Sequence, residues 1–572
     1  MNVIGFKEAQ CKNCYKCVRS CEVKAIIVKD AQAQILNDKC ILCGHCLNIC
    51  PQNAKTLISD LDKVKEFLKA REQVIVSLAP SYLGIMKYKK AGQVVSALKK
   101  LGFFSVRETS EGAVLVTEEY RKLLEEGKMQ NIITTCCPSV NDLIEIYYPS
   151  LAKYMAPVVS PMIAHGKMIK KQYGVNTKVV FIGPCISKKR EAENDDRTKG
   201  YIDAVINFTE LEEWMALEGI EIESMEEEAF DNPNPEVNRL YPISSGVLSS
   251  VITKSSNDHY RKFYVHGFNN CIELLKSMEK EEVNNSFIEV NICNGGCIKG
   301  PAADTTGISR FKVKLDMEDS IAKLEPREEE FSKEGIKLHK SFYPRKNRDP
   351  IPTEEEIRAI LKQIGKTEKE HELNCGACGY SSCVEKAVAV YQGKAELSMC
   401  LPYMHDKATS MANVVLDTMI NGIIMVDGEM KIIEFNRAAE VFFQKTSAEA
   451  KKLYLYEIFD HRDFEYVYET HTSILEKKVS YSDYGITTMQ NIVYVEKENC
   501  VLAVIQDVSK EEERIYQAYH VKMETIEMAQ KVIDKQMMVA QEIAGLLGET
   551  TAETKVTLTK LRDTILYDGE KL

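Results

Sequence analysis

Nineteen cysteines in 572 residues constrain this chain more than any other feature. Eight of them form two identical runs, Cys11, Cys14, Cys17, Cys21 and Cys40, Cys43, Cys46, Cys50, each spaced C-x2-C-x2-C-x3-C. Four more, Cys375, Cys378, Cys383 and Cys400, are spaced C-x2-C-x4-C-x16-C. The opening stretch MNVIGFKEAQCKNC has no apolar segment long enough for a signal peptide, so a reducing, cytoplasmic setting is expected. In that setting dense cysteine reads as metal ligation rather than disulfide bonding. The net charge of −11 gives no electrostatic reason to expect nucleic acid or an anionic membrane as partner. No apolar run approaches the roughly 20 residues that a membrane-spanning helix needs. With 44% hydrophobic and 28% charged residues the chain reads as ordinary globular protein, and its length suggests about three to five domains.

Five further cysteines lie apart from these groups. TTCCPSV contains Cys136 and Cys137, GPCISKKRE contains Cys185, and EVNICNGGC contains Cys293 and Cys297. Each segment follows a short apolar run: NIIT, KVVFIG or FIEVNI. Runs of this kind read as buried parallel strands, which places the cysteines in strand-to-helix loops. Ligand sites of α/β folds are built at the carboxyl ends of such strands. Separate loops converging on one centre imply a buried cofactor rather than a local clip.

The first eight cysteines resemble the two-cluster bacterial ferredoxin run, in which the fourth cysteine of each run ligates the other cluster. That resemblance implies one [4Fe–4S] cluster on Cys11, Cys14, Cys17 and Cys50, and a second on Cys40, Cys43, Cys46 and Cys21. Pro51 follows the second run as the family pattern requires, whereas Glu22 follows the first. The Cys375 group, with a helical VEKAVAVYQGK between its last two members, resembles a single-cluster [4Fe–4S] module of redox proteins. Zinc is the alternative for both. Cys271 and Cys500 are left as packing residues.

The three central segments resemble, in order and spacing, the signatures of the [FeFe]-hydrogenase catalytic domain, preceded by an Ala-Pro-Ser element at LAPSY. The resemblance covers residues 72–345. It implies a cubane on Cys137, Cys185, Cys293 and Cys297, with Cys297 bridging to a diiron subcluster carrying CO, CN and azadithiolate, the composite H-cluster. It further implies that Lys188 and Ser81 donate hydrogen bonds to the cyanides and that Cys136 passes a proton to the bridging amine. Departures from the family are equally clear. Gly183 and Asn291 stand where the family has methionines, Met162 where it has glutamine and Val140 where it has tryptophan. Of the proton route, Glu119 matches the first glutamate, but Lys122 and Ala156 fall at the second glutamate and the serine; Glu191 of the second signature remains available. An interrupted route and an altered pocket lead to an expectation of slow turnover.

Beyond residue 350 no catalytic pattern appears. IIMVDGEMKIIEFN reads as a hairpin and NRAAEVFF as the helix after it. Together with CVLAVIQDVSKEEE they resemble a PAS sensory domain, with Asn436 and Asp507 at family positions. His461 and His471 read as surface histidines rather than haem ligands. A 4–3 apolar spacing through Tyr519, Met523, Ile526, Gln530, Ile533, Met537, Ala540, Ala544 and Leu547 predicts a two-stranded coiled coil and a homodimer. Packing against the chain's own surface is the alternative. His520 lacks the flanks of a kinase phosphoacceptor. AQEIAGLLGETTAETKVTLTKL resembles the segment before a sporulation-type serine phosphatase domain, so a separate phosphatase or kinase is expected as output partner.

The expected fold is multidomain α/β and α+β. It comprises a two-cluster ferredoxin domain (1–60), an α/β iron-hydrogenase domain (61–349), a single-cluster module (350–406), a PAS domain (407–510) and a helical coiled-coil segment (511–572). The leading expectation is an [FeFe]-hydrogenase-like protein that exchanges H2 and protons slowly, with a ferredoxin-type electron partner, and acts as a hydrogen or redox sensor. A PAS-regulated metabolic hydrogenase and a non-catalytic iron–sulfur assembly protein are the alternatives.

Overall fold

The apolar runs before the central cysteines pair in parallel because each is buried on both faces and leaves no polar side to face water. Val74–Leu78 lies between Ser105–Glu108 and Lys178–Ile182, with Ala204–Ile206 outermost, in a four-stranded parallel sheet. Ser286–Asn291 lies between Arg261–His266 and Asn131–Ile133 in a second, three-stranded parallel sheet. Helices Ser110–Glu126, Pro138–Tyr147, Pro161–Tyr173 and Phe268–Glu279 bury apolar faces against these sheets. The computed structural model describes residues 3–30, 32–231, 236–252, 259–303, 309–322, 335–345, 349–546 and 551–567. They form two compact units, Met1–Tyr403 and Met404–Leu572.

In the first unit the ferredoxin segment consists of two small antiparallel ribbons, Ile4–Phe6 with Lys55–Leu57 and Ile26–Lys29 with Gln32–Ile35. Short helices Lys16–Arg19 and His45–Asn48 carry cysteines of the two runs. The Tyr147 hydroxyl, at the end of the helix that starts after Cys137, donates to the carbonyls of Val23 (3.2 Å) and Lys39 (2.7 Å) and so ties this segment to the larger sheets. Helices Glu354–Gln363 and Cys383–Tyr391 pack together in the Cys375 module. Cys271 and Cys500 are buried packing residues.

The second unit holds a five-stranded antiparallel sheet, ordered Ile432–Phe435, Gly422–Val426, Cys500–Asp507, Ile486–Val495, Ile474–Tyr481. Asn436 organises one edge. Its Oδ1 accepts from the N–H groups of Ile423 (2.7 Å) and Ala439 (3.1 Å), while its Nδ2 donates to Leu416 O (2.9 Å) and Asn421 O (3.0 Å). One buried amide thus joins helix Leu401–Thr418, the first strand and helix Arg437–Phe443. Asp507 accepts from Ser509 at the start of the long helix Ser509–Leu546. His461 and His471 sit at the periphery, His471 stacked on Tyr494.

Helix Thr551–Tyr567 contacts helix Ser509–Leu546. On the longer helix Ile526, Gln530, Ile533, Met537 and Ala540 are half-buried, whereas Tyr519 and Met523 stay exposed. The side chain of Ala544 and all of Leu547 lie outside the described residues. No described helix is long and apolar enough to cross a membrane.

Replacing Asn436 by Ala leaves two N–H groups without their acceptor. It is expected to destabilise the PAS unfolding transition of the full chain by about 2–4 kcal/mol, from about 1 kcal/mol per bond lost plus unpaired buried donors. Chemical denaturation followed by circular dichroism reads this, and an unchanged midpoint would contradict the linking role.

Candidate metal-cluster site

Each central cysteine sits just beyond the carboxyl end of a parallel strand. Cys137 is the residue before helix Pro138–Tyr147, where Pro138 at the first helical position fixes the chain direction. Cys185 follows Lys178–Ile182, and Cys293 and Cys297 follow Ser286–Asn291. Gly296 has φ +93°, and a Cβ there would lie 2.3 Å from Pro242 O. Only glycine permits the tight loop that sends the Cys297 N–H to that same carbonyl at 2.6 Å.

Cys137, Cys185, Cys293 and Cys297 line one cavity, walled by Leu42, Ile186 and Pro301, with Cys43 of the ferredoxin segment at its edge. Burial pushes the Cys137 thiol up to about 11 and Cys293 and Cys297 well above their ordinary value, and the mutual proximity of the four sulfurs adds to it. Four thiols gathered in one confined pocket are unfavourable as thiolates unless a cation replaces their protons. Among the described residues no three Cys, His, Asp or Glu side chains close around a single-ion site. A tetrahedral zinc with 2.3 Å bonds needs sulfurs about 3.8 Å apart. Four thiols lining one cavity from three separate loops suit an iron–sulfur cluster, whose ligands bind different corners.

A second cavity, of about 90 Å³, adjoins the first and shares Pro184, Cys185, Asn291 and Cys297 with it. Ser81, Thr109, Cys136, Met162, Phe181, Lys188, Tyr241 and Val247 are among its other lining residues. Lys188 Nζ donates to Glu191 Oε2 (2.7 Å) and Cys136 O (3.1 Å). Burial lowers the lysine's pKa, but Glu191 and the neighbouring thiols outweigh it, so the ammonium is retained. Glu191 is itself buried and receives Ser160 Oγ at 2.8 Å. Ser81 Oγ is buried at the cavity wall with no hydrogen-bond partner, an expensive arrangement for a hydroxyl with nothing to bind. A lysine held in place and an orphaned hydroxyl fit an occupant bearing anionic acceptors. At the departures from the family, a Cβ on Gly183 would fall 2.7 Å from the Phe181 ring, so phenylalanine fills that volume. The Asn291 amide is turned to Glu289, donating at 3.0 Å.

Helix phase decides which side chains of Ser110–Glu126 meet Cys136. Glu119 points outward, partly exposed, and pairs with Lys122 at 2.5 Å; Lys122 is 59% exposed. The group on the thiol is Tyr120, whose hydroxyl lies 3.2 Å from Cys136 Sγ. Successive helical residues are rotated by about 100°, so one residue separates a buried contact from the surface. Burial, only partly offset by Tyr120, pushes the Cys136 thiol up to about 12. Tyr241, linked to Thr117 at 2.6 Å, shares this environment. Ala156 is buried and offers only its backbone, accepting from Thr135 Oγ1 at 3.1 Å. The sequence reading missed both tyrosines because it looked for carboxylates and a serine. Glu289, first residue of EVNICNGGC, was also missed. Burial lifts it to about 7, although the N–H groups of Leu248 and Ser245 hold its oxygens.

In the ferredoxin segment Cys17 feels Cys11, Cys14 and Cys50, while Cys46 feels Cys40, Cys43 and Cys21. Each set therefore draws its fourth member from the other run. In the third group Lys386 feels Cys378, Cys400 and Cys383, and Cys378 feels Cys400 and Cys375. This module docks on the ferredoxin segment: Arg19 donates to Ala377 O (2.9 Å), Lys24 to Gly379 O (3.0 Å) and Val28 N–H to Lys394 O (3.1 Å).

Comparison with known proteins agrees with this partition. Residues 72–301 match the family described as iron only hydrogenase large subunit, C-terminal domain. Residues 4–51 match a 4Fe-4S dicluster domain, 372–402 an Fe-S cluster family and 411–507 the PAS fold. Iron hydrogenase 1 of Clostridium pasteurianum is 26% identical over 378 residues, covering 48% of this chain and 66% of that protein. The NADP-reducing hydrogenase subunit HndD of Solidesulfovibrio fructosivorans is 26% identical over 338 residues, covering 48% and 58%. Protein NAR1 of Arabidopsis thaliana is 22% identical over 341 residues, covering 46% and 71%. The chain thus spans less than two thirds of the two hydrogenase relatives. A solved [FeFe]-hydrogenase HydA1 from Chlamydomonas reinhardtii is similar with a TM-score of 0.38 and 17% identity, covering 46% of this chain and 88% of that one.

Replacing Cys137 by Ser is expected to cost the reconstituted protein about four iron atoms, one cubane, while the iron held by the other cysteine sets remains. Iron and sulfide analysis reads this; a loss of zinc in place of iron would contradict it.

Proposed function

We propose that this chain is a low-turnover [FeFe]-hydrogenase-like protein that exchanges H2 with protons and electrons and reports hydrogen or redox state through its PAS domain. The observation that carries the reading is the second cavity beside Cys297. A lysine fixed by Glu191, an unpartnered Ser81 hydroxyl and the Cys136 thiol face one small space. A cluster scaffold has no use for such a set.

Cys137, Cys185, Cys293 and Cys297 would hold a cubane and share Cys297 with a diiron unit in the second cavity. When bound, that unit supplies an open metal position able to polarise dihydrogen as a Lewis acid. Lys188 keeps its one remaining ammonium proton for an anionic ligand, and Ser81 supplies a second donor. Apolar walls from Phe181, Met162 and Val247 exclude water and strengthen both contacts. Cys136 holds a proton at Sγ, and the Tyr120 phenol fixes its direction. Burial raises the Tyr120 pKa well above 10, so the phenol keeps its proton, and its oxygen accepts from the Thr135 N–H at 2.9 Å. A thiol backed by a phenol, with Lys122 turned to the surface, moves protons slowly, which suits a sensor better than a bulk catalyst.

Cys43, which lines the first cavity, the other cysteines of the ferredoxin segment and those of the module docked on Arg19 and Lys24 would hold further clusters able to carry electrons onward, ending at that last module. Its last ligand, Cys400, directly precedes helix Leu401–Thr418, and the PAS strands follow. Covalent attachment of a redox centre to a PAS domain supports sensing. Exposed Tyr519 and Met523 leave a surface for a second copy or an output partner. The similarity to NAR1 and the altered positions Gly183, Asn291 and Met162 favour the second reading, a non-catalytic assembly protein.

Infrared spectroscopy of the full chain after maturation separates the two. Carbonyl and cyanide bands that change under hydrogen, with slow hydrogen evolution, are expected. A cluster-loaded protein lacking those bands contradicts the hydrogenase reading, and fast bulk turnover contradicts the sensor.

A further inference from the structure

The third cysteine module meets the ferredoxin segment along a seam that carries cysteines of both. Ala377 and Gly379, on either side of Cys378, are each held there: Arg19 donates to Ala377 O at 2.9 Å and Lys24 to Gly379 O at 3.0 Å. Gly379 has φ +96°, and a Cβ there would lie 2.8 Å from Val18 Cγ1. Glycine therefore lets Cys378 come close to helix Lys16–Arg19, which carries Cys17. Tyr380 follows, buried in an apolar core with Val18, Val28 and Met399. Cysteines of both ferredoxin sets reach that core, Cys11 and Cys17 from one and Cys21 and Cys46 from the other, and Cys378 meets them from the module. Tyr380 feels the charge of Cys378 and of Cys21. Further contacts favour the Cys21 set. Lys24 acts on the Cys21 sulfur, and its ammonium stands 5.6 Å from the centre of the Tyr380 ring. Asp349 Oδ2 pairs with Lys394 of the module at 2.6 Å and with Lys39, the residue before Cys40, at 3.4 Å. On the other side Cys14 is exposed to solvent, and Tyr15 beside it feels the Glu396 carboxylate.

We propose that Cys378 and Cys21, packed against one core beside Tyr380, are the facing edges across which the third module exchanges electrons with the ferredoxin segment, so that the module is filled from the Cys21 set and not from the Cys11 set. The inference deepens the function proposed above and rests on these cysteine sets holding iron–sulfur clusters. The step moves one electron. The group held by Cys21, Cys40, Cys43 and Cys46 is oxidised by one, the group held by Cys375, Cys378, Cys383 and Cys400 is reduced by one, and no bond or proton changes place. Dithionite, or H2 split in the second cavity, supplies the electron. Electron transfer through protein falls off steeply with separation, so the set that touches the module decides the partner. An arriving electron adds negative charge, which Lys24 and Lys39 offset at this crossing and which Glu396 opposes beside Tyr15. Cys43 of the same set lines the first cavity. The Cys21 set therefore faces the cubane pocket on one side and the module on the other, while the Cys11 set, open at Cys14, is a separate outlet. A signal can then reach the module without passing the outlet. The sequence alone gives no hint of this crossing, because Lys24 and Gly379 are 355 residues apart.

Electron paramagnetic resonance of the full chain, reconstituted with iron and sulfide and reduced with dithionite, tests this. The module's signal is identified by its loss in Cys383→Ala, and a reduced neighbour splits it. Cys46→Ala and Cys14→Ala are each expected to cost about four irons, one cubane. The splitting is expected to vanish in Cys46→Ala and to survive in Cys14→Ala. Gly379→Ala removes no ligand, and at unchanged iron content it is expected to weaken the splitting by forcing Cys378 away from Val18. In the matured chain under hydrogen the module's signal should appear in Cys14→Ala and stay absent in Cys46→Ala. A splitting that survives in Cys46→Ala or is lost in Cys14→Ala overturns the crossing, as does an unsplit module signal in fully loaded wild type. A splitting unchanged in Gly379→Ala overturns it too. A matured wild type without carbonyl and cyanide bands overturns the function instead, and the splitting in the dithionite-reduced chain still decides the crossing.

Discussion

Four thiols from three loops share one confined pocket, and the rest of the larger unit is arranged to make that tolerable. Left alone, such thiols stay protonated, as the upward shifts at Cys137, Cys293 and Cys297 show. Two parallel sheets end at the same place and deliver the loops together. Pro138 and Gly296 fix the backbone where it must turn, and Leu42, Ile186 and Pro301 keep solvent out. Lys188 stands beside this sulfur ring with its charge secured by Glu191. Remove the requirement for a buried polynuclear cluster and these features have no common reason.

The same economy governs the accessory segments. Tyr147 ends the helix that begins beyond Cys137 and bonds to backbone carbonyls near Cys21 and Cys40, so one helix spans the space between two cysteine sets. The third cysteine module binds the ferredoxin segment through Arg19 and Lys24, which donate to backbone carbonyls rather than pairing with carboxylates.

What the sequence made legible is what is locally encoded. Cysteine spacing within eleven residues specifies a cluster motif, and strands buried on both faces announce themselves as apolar runs. Asn436 was readable because the PAS hairpin and the helix after it are contiguous. Contacts that depend on helix phase or on distant pairing were not readable. Glu119 and Tyr120 differ by one residue, yet one faces solvent and the other touches Cys136. His165 meets a carboxylate 54 residues away. Gly379 lies against Val18 across most of the first unit's length. The heptad spacing after residue 519 was legible as a seam, but spacing alone does not say which helix fills it.

Anomalous diffraction at the iron edge from crystals of the matured protein tests the central claim most directly. A four-iron peak bounded by Cys137, Cys185, Cys293 and Cys297, with two further irons beyond Cys297 in the cavity of Ser81 and Lys188, is the predicted result. A single metal peak on those cysteines, or a four-iron peak with none beyond Cys297, would contradict the account.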